Sequence, residues 1–209
     1  MSAPAVVLVH GLWAGPWTLG ALRARLRAEG YAVHAFRYAS VLAPLESTAR
    51  AFARFLDGLH AEPIHIVAHS LGGVVAHEGL LLQPCKGNVV LLGTPWRGSR
   101  AARQLEQLPL GATLRGHCLG DWLANPRPHW RAANPLGVIA GSRGMGMGRL
   151  IAPDLPRPND GAVTVDETLI DGARDRLVLP VSHSGMLLSS RVARETARFL
   201  RHGRFSGKP

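Results

Sequence analysis

Between Ile64 and Val75 the chain reads Ile-His-Ile-Val-Ala-His-Ser-Leu-Gly-Gly-Val-Val, an apolar strand that stops at Ser70 and resumes at once as a glycine-led apolar stretch. Such a run leaves no room for a loop, so the backbone must pass from extended to helical within a few residues. Side chains on the inside of that turn have to be small. The pattern small-x-Ser-x-Gly, with Ala68 two residues before the serine and Gly72 two after it, predicts a turn in which these two positions nearly touch. The usual pattern has Gly at the first position, and Ala68 departs from it by a single methyl group. A turn of this kind lifts the serine clear of the sheet, which makes Ser70 the candidate nucleophile.

The rest of the chain repeats the alternation of strand and helix. Apolar runs at 6–9, 31–36, 64–67, 89–92, 136–140 and 177–181 predict strands. Leu19, Leu22 and Leu26 space a helix over 17–29, with arginines on its other face. Leu45, Ala49, Phe52, Leu56 and Leu59 space a second helix that runs to His60; further helices are expected at 71–82 and 187–200. Short, doubly apolar strands alternating with amphipathic helices specify an α/β fold: a doubly wound, mostly parallel sheet covered on both faces. The rhythm breaks between Thr94 and Pro135, where Trp96, Trp122, Trp130 and several prolines accompany one short helical pattern at 101–108. Residues 94–135 are therefore read as an insert within a single domain, either a cap or pocket wall or an excursion anchored on the sheet edge by its tryptophans. The glycine-rich segment 141–148, with Met145 and Met147, reads as a flexible loop or a pocket lip.

Composition narrows the function classes. A chain of 209 residues suits one domain with a substantial core, and no apolar run reaches the roughly 20 residues that span a bilayer. Its formal net charge is +10, yet only Lys86 and Lys208 of the 24 basic residues are lysine. The arginines are spread along helical faces, as in Arg23, Arg25 and Arg27 or Arg191, Arg194, Arg198 and Arg201, without the basic blocks and interleaved aromatics of a nucleic-acid site. No specific nucleic-acid partner is expected. Met1-Ser2-Ala3-Pro4 leads straight into the first strand without the basic segment of a signal peptide, so the expected location is cytoplasmic, with a secreted mature form as the alternative. Cys85 and Cys118 have neither metal-site nor redox spacing and read as two separate thiols, with one disulfide as the alternative. His60, His65, His69 and His77 are split between helix and strand with no carboxylate or thiol among them, so no metal and no cofactor is called for.

A serine hydroxyl needs a base, a carboxylate to orient the base, and donors for the developing oxyanion. In doubly wound hydrolases the chain order is serine, acid, histidine. Of the histidines beyond the central strands, His202 lies in a basic tail, whereas His183 follows a strand and precedes a helix in Val181-Ser182-His183-Ser184-Gly185. His183 is the candidate base. Asp154, Asp160, Asp166, Asp171 and Asp175 all lie upstream of it; Asp160 in Asn159-Asp160-Gly161-Ala162-Val163 sits in a turn just before an apolar segment and is the candidate acid, with Asp166 and Asp175 as runners-up. Gly11 lets the backbone turn after the first strand so that the Leu12 N–H faces the site, and the Leu71 N–H at the head of the helix after Ser70 is the second oxyanion donor. His10 is expected to brace that loop, and His69 to be a packed neighbour rather than a second base.

These segments, Val6-Val7-Leu8-Val9-His10-Gly11-Leu12, Val67-Ala68-His69-Ser70-Leu71-Gly72-Gly73, Asp160-Gly161-Ala162-Val163 and Ser182-His183-Ser184-Gly185-Met186, resemble the α/β-hydrolase superfamily, and within it small bacterial lipases and esterases. Small Bacillus-type lipases likewise carry alanine before the His-Ser pair. The resemblance implies a compact α/β-hydrolase fold without the leading strands of the full superfamily, with an insert longer than in those minimal enzymes. It implies a carboxylic ester hydrolase acting through Ser70, His183 and Asp160 on a small-molecule ester or lipid. Thioesterase, amidase and acyltransferase chemistry use the same acyl-enzyme, and a non-catalytic basic binding protein of the same fold is the alternative from another class.

Overall fold

The computed structural model describes residues 3–126, 128–146 and 151–206. Met147 and Gly148 of the glycine-rich segment, and Lys208, lie outside the described residues. Six strands form one sheet in the order β2-β1-β3-β4-β5-β6, every adjacent pair parallel: β1 (Ala5–Val9), β2 (Ala32–Phe36), β3 (Ile64–His69), β4 (Val89–Leu92), β5 (Leu136–Gly141) and β6 (Asp175–Leu179). The central strands β1, β3, β4 and β5 are buried along their whole length, because helices cover both faces.

Each face has its own core. On one, Val7, Ile66, Ala68 and Leu91 pack against α2 (Leu45–Asp57) and α3 (Gly72–Leu82); on the other, Val6, Leu8, Val67 and Leu92 meet α1 (Gly20–Ala28) and the C-terminal helix Ser190–His202. This split follows from the period of two, since neighbouring strand residues point to opposite faces. Helix α3 carries little amphipathic contrast and is buried on nearly every side, clamped between the sheet and α2.

Several boundaries differ from the sequence reading, each for a local reason. The helix expected from residue 17 opens as a 3₁₀ turn, Pro16–Leu19, before α1. The expected helix to His60 ends at Asp57, where Gly58 closes it. Strand β6 starts two residues earlier than its apolar run, because the Asp175 carboxylate accepts the Arg176 and Phe205 amides and ties the edge strand to the chain's tail. The expected helix 187–200 divides at Ser189, which is extended (φ −75°, ψ 123°) and caps Ser190–His202 by accepting the Val192 amide; a separate short helix, Gly185–Leu188, precedes it. Cys85 and Cys118 are free thiols, and burial pushes them up to about 11 and about 12. No described helix is long and apolar enough to cross a membrane.

The insert folds as three short helices, α4 (Arg100–Glu106), α5 (Gly111–Arg115) and α6 (His117–Ala124). Trp96 and Trp122 are fully buried, and with Trp130 they form a train of ring contacts, 4.9 to 5.8 Å between centroids, that ends on His77 of α3. The tryptophans thus anchor the insert to the domain. Its far end is tied down by Asp121, whose carboxylate accepts the Leu45 amide at the head of α2 (2.9 Å), and by the His117 amide on Val41 O. The α2–α3 interface centres on Phe52, wholly buried and lying where a β-carbon on Gly79 would come within 2.5 Å of its ring. Phe52→Ala is expected to cost about 3–5 kcal/mol in urea denaturation, since it removes a fully buried ring and leaves a cavity.

Candidate active site

The four site segments converge at the carboxyl ends of the central strands, where open parallel sheets form crevices. Ser70 follows directly on β3 with a left-handed backbone (φ 54°), a conformation that costs a non-glycine residue roughly 1–3 kcal/mol. Three hydrogen bonds hold it there: Ser70 N–H to Leu92 O (2.9 Å), and the Thr94 hydroxyl (2.9 Å) and Gly73 amide (3.0 Å) to Ser70 O. The turn is tight for a reason other than the one expected from sequence. An added β-carbon at Gly72 would lie 2.5 Å from His10 O and 2.6 Å from Val9 O, so Gly72 presses on the neighbouring strand β1 rather than mainly on Ala68. Ala68 is buried in the sheet, in register with Val9 and Leu91.

The loop after β1 lies against the same turn, where a β-carbon on Gly11 would come within 2.9 Å of Ser70 Cβ. His10 braces this loop as expected: its Nδ1–H donates to Gly11 O (2.9 Å) and its Nε2 accepts the Tyr38 amide (3.4 Å). Tyr38, not singled out from sequence, stacks on His10 at 4.3 Å and donates its hydroxyl to His10 O (2.8 Å). Burial lowers the His10 pKa and raises that of Tyr38 well above its ordinary value, so both act as neutral struts. The Leu12 and Leu71 amides donate to no described residue, which leaves both available to a ligand. A cleft of about 380 Å³ lined by His10, Ala14, Trp17, Arg37 and Tyr38, among others, borders this loop.

On the other side of the crevice, Asp160 and His183 meet. His183 Nδ1 lies 2.7 Å from Asp160 Oδ2, and the His183 amide donates to Asp160 O (2.8 Å). The other oxygen, Asp160 Oδ1, accepts the Ala162 and Val163 amides at 2.9 and 2.7 Å, so the carboxylate is held from both sides and is only 1% exposed. With Nδ1–H donating to that carboxylate, the free lone pair of His183 is on Nε2. The hydrogen bonds of His183 run to Asp160 and, through its carbonyl, to His69; none joins its Nε2 to the Ser70 hydroxyl. Of the other aspartates, Asp154 and Asp166 are exposed, Asp171 pairs with Arg97 (2.5 Å), and Asp175 anchors the opposite end of β6.

Two glycines form the floor of the pair. Gly93, left-handed at φ 57°, would with a β-carbon approach Asp160 Oδ2 and His183 Nδ1 at 3.1 and 3.2 Å; Gly141 would touch Asp160 Cβ at 2.7 Å. Neither was singled out, because a strand-end glycine carries no sequence mark of what lies above it. Glu167 was also missed. Its carboxylate accepts the Thr164 amide (2.8 Å) and the Arg100 amide heading α4 (2.6 Å), joining the Asp160 loop to the insert. Among the described residues no group of His, Cys, Asp and Glu side chains could hold a metal ion.

His69 lies under His183 as a packed neighbour, its Nε2–H donating to His183 O (3.1 Å) and its ring 4.6 Å from that of His183. Burial, reinforced by the nearby His183, lowers its pKa to about 3, and its Nδ1 is buried without a partner. The unfolded chain takes up a proton at such a residue near pH 6.5. Between that pH and about 3 the unfolded state therefore binds more protons, and stability falls with falling pH by up to about 1.4 kcal/mol per unit. His10 and His65 slope the same way. His69→Asn is expected to remove about one proton's share of that slope in denaturant titrations between about pH 6.5 and pH 4.

No curated protein sequence matches the chain. Solved structures do. A Bacillus licheniformis lipase in its mature form superposes with a TM-score of 0.71 at 18% identity, covering 96% of this chain and 91% of that one. A carboxyl esterase of metagenomic origin gives 0.73 at 19% identity, over 97% and 77%. A thioesterase of prodiginine biosynthesis from Streptomyces coelicolor gives 0.58 at 16% identity, over 96% and 85%. These likenesses establish the fold. The alpha/beta hydrolase family model matches residues 6–201, from the first strand to the last helix, and the chain belongs to that family.

Proposed function

We propose that this protein is a carboxylic ester hydrolase working through Ser70, His183 and Asp160. The observation that carries the reading is the bond of 2.7 Å between buried Asp160 and half-buried His183, in the same crevice as a serine in a strained left-handed turn. His183 Nε2 takes the proton from the Ser70 hydroxyl as Oγ attacks the acyl carbonyl, and the Leu12 and Leu71 amides receive the oxyanion. His183 then protonates the departing alkoxide, leaving the acyl group on Oγ. Water attacks that ester with His183 again as base, and the acid leaves as Ser70 recovers its proton. Asp160 keeps the imidazole in the tautomer that exposes Nε2 and stabilises the cation formed in each half-reaction.

Esters stand ahead of thioesters and amides, which use the same intermediate, because a lipase and a carboxyl esterase are among the structures similar to this chain over nearly its whole length. Residues 94–135 form the pocket wall in this reading, and a series of p-nitrophenyl esters of increasing acyl length measures what that wall admits. On a short ester, Ser70→Ala and His183→Ala should lower kcat by at least about a thousandfold, and Asp160→Asn by about 10³ to 10⁴ through loss of the tautomer. Circular dichroism should stay that of the wild type. Asp166→Asn, on an exposed 3₁₀ turn, should retain activity; the reverse outcome would refute Asp160 as the acid.

A further inference from the structure

Three described residues other than glycine have left-handed backbones: Trp13 (φ 55°), Ser70 (φ 54°) and Leu110 (φ 60°). The turn accounts for Ser70. Large side chains in that region are outliers that persist only where their surroundings hold them, and they concentrate at sites and clamps. Trp13 directly follows Leu12, and Leu110 directly precedes α5 as its N-cap residue. The two are linked by a short chain of bonds. The Leu114 amide donates to Leu110 O (3.0 Å), and the Trp13 indole N–H donates to Leu114 O (2.8 Å).

That indole bond is well placed to restrain the loop. Between Gly11 and Ala14 the backbone makes no backbone–backbone hydrogen bond to a described residue. Two side-chain bonds hold the segment instead: His10 Nδ1–H on Gly11 O at its start, and the Trp13 indole at its far end. The Trp13 ring is 50% exposed, so burial contributes only part of what keeps this residue left-handed. The acceptor is fixed in turn. Leu114 O is one of the last carbonyls of α5, which look outward for donors, and just beyond it Gly116 fits against Val41, where a β-carbon would lie 2.7 Å from Val41 Cα.

We propose that Trp13 is a positioning residue: its indole N–H latches the loop after β1 onto α5 of the insert and so sets the direction of the Leu12 amide toward the oxyanion. The role in catalysis rests on the ester-hydrolase reading, whereas the latch itself does not. A misdirected oxyanion donor weakens the transition state more than the bound substrate, so loss of the latch reads out in kcat rather than KM.

Trp13→Phe keeps a large ring at a half-exposed position and removes only the donor. In backbone NMR the amides of residues 11–14 should shift and lose order in this variant, and in hydrogen-exchange mass spectrometry the segment 111–116, whose Gly111, Leu114 and Gly116 amides are hydrogen-bonded, should exchange faster. On a short p-nitrophenyl ester, kcat should fall about tenfold with KM within about twofold, and a trifluoromethyl ketone transition-state analogue should lose affinity by a similar factor. Unchanged order at residues 11–14 together with unchanged exchange at 111–116 would overturn the latch. Faster exchange with unchanged kcat and ketone affinity would overturn the positioning role. A wild type inactive on every ester would refute the proposed function and with it the role at the oxyanion, while the order and exchange results would still decide the latch.

Discussion

The contact on which the rest depends is the one between the Ser70 turn and the end of strand β1. Gly72 sits so close to the Val9 and His10 carbonyls that any β-carbon there would overlap backbone, and a β-carbon on Gly11 would come within 2.9 Å of the serine's own. Backbone packed on backbone cannot relax as side chains do. The left-handed Ser70 is thus imposed by the sheet, with Thr94 and Leu92 of the neighbouring segment completing its hydrogen bonds. Strain of this size persists because a large two-faced core surrounds it. The same contact sets Gly11, the residue before Leu12, against Ser70, the residue before Leu71, although the two lie far apart in the chain.

A second arrangement answers the first from across the sheet. Asp160 is buried, with Oδ1 held by the adjacent Ala162 and Val163 amides, and His183 is held by its side chain on Oδ2, by its amide on Asp160 O, and from below by neutral His69 on its carbonyl. Gly93 and Gly141 keep the floor low enough for this pair to lie flat against β4 and β5. The site is coupled to the insert at two points on different sides. Glu167 joins the Asp160 loop to α4, and Trp13 joins the loop after β1 to α5. A change in the insert therefore reaches both halves of the proposed machinery.

Much of this was legible in the sequence because it rests on local patterns. Doubly apolar runs gave the strands, leucine spacing gave α1 and α2, and small residues around Ser70 announced the turn. The positions of Asp160 and His183 in strand-end loops could be read from chain order. What escaped reading depends on contacts between distant segments. Whether Gly72 crowds Ala68 or Val9 is decided by strand order, and Gly93 matters only because His183 lies over it. The insert's helices α5 and α6 are five and eight residues long, too short for periodicity to register. The break at Ser189 came from a cap within an apolar pattern that continues across it, and the early start of β6 from a carboxylate bonded to a distant tail.

The central claim is that Ser70 is an activated nucleophile, and covalent labelling tests it most directly. The intact protein would be treated with a fluorophosphonate, digested, and its peptides read by mass spectrometry. An activated Ser70 gives one adduct per chain on the peptide that carries it, absent in Ser70→Ala and much slowed in His183→Ala. A folded wild type that takes no label, or takes it on another residue, would contradict it and favour a non-catalytic member of the same family.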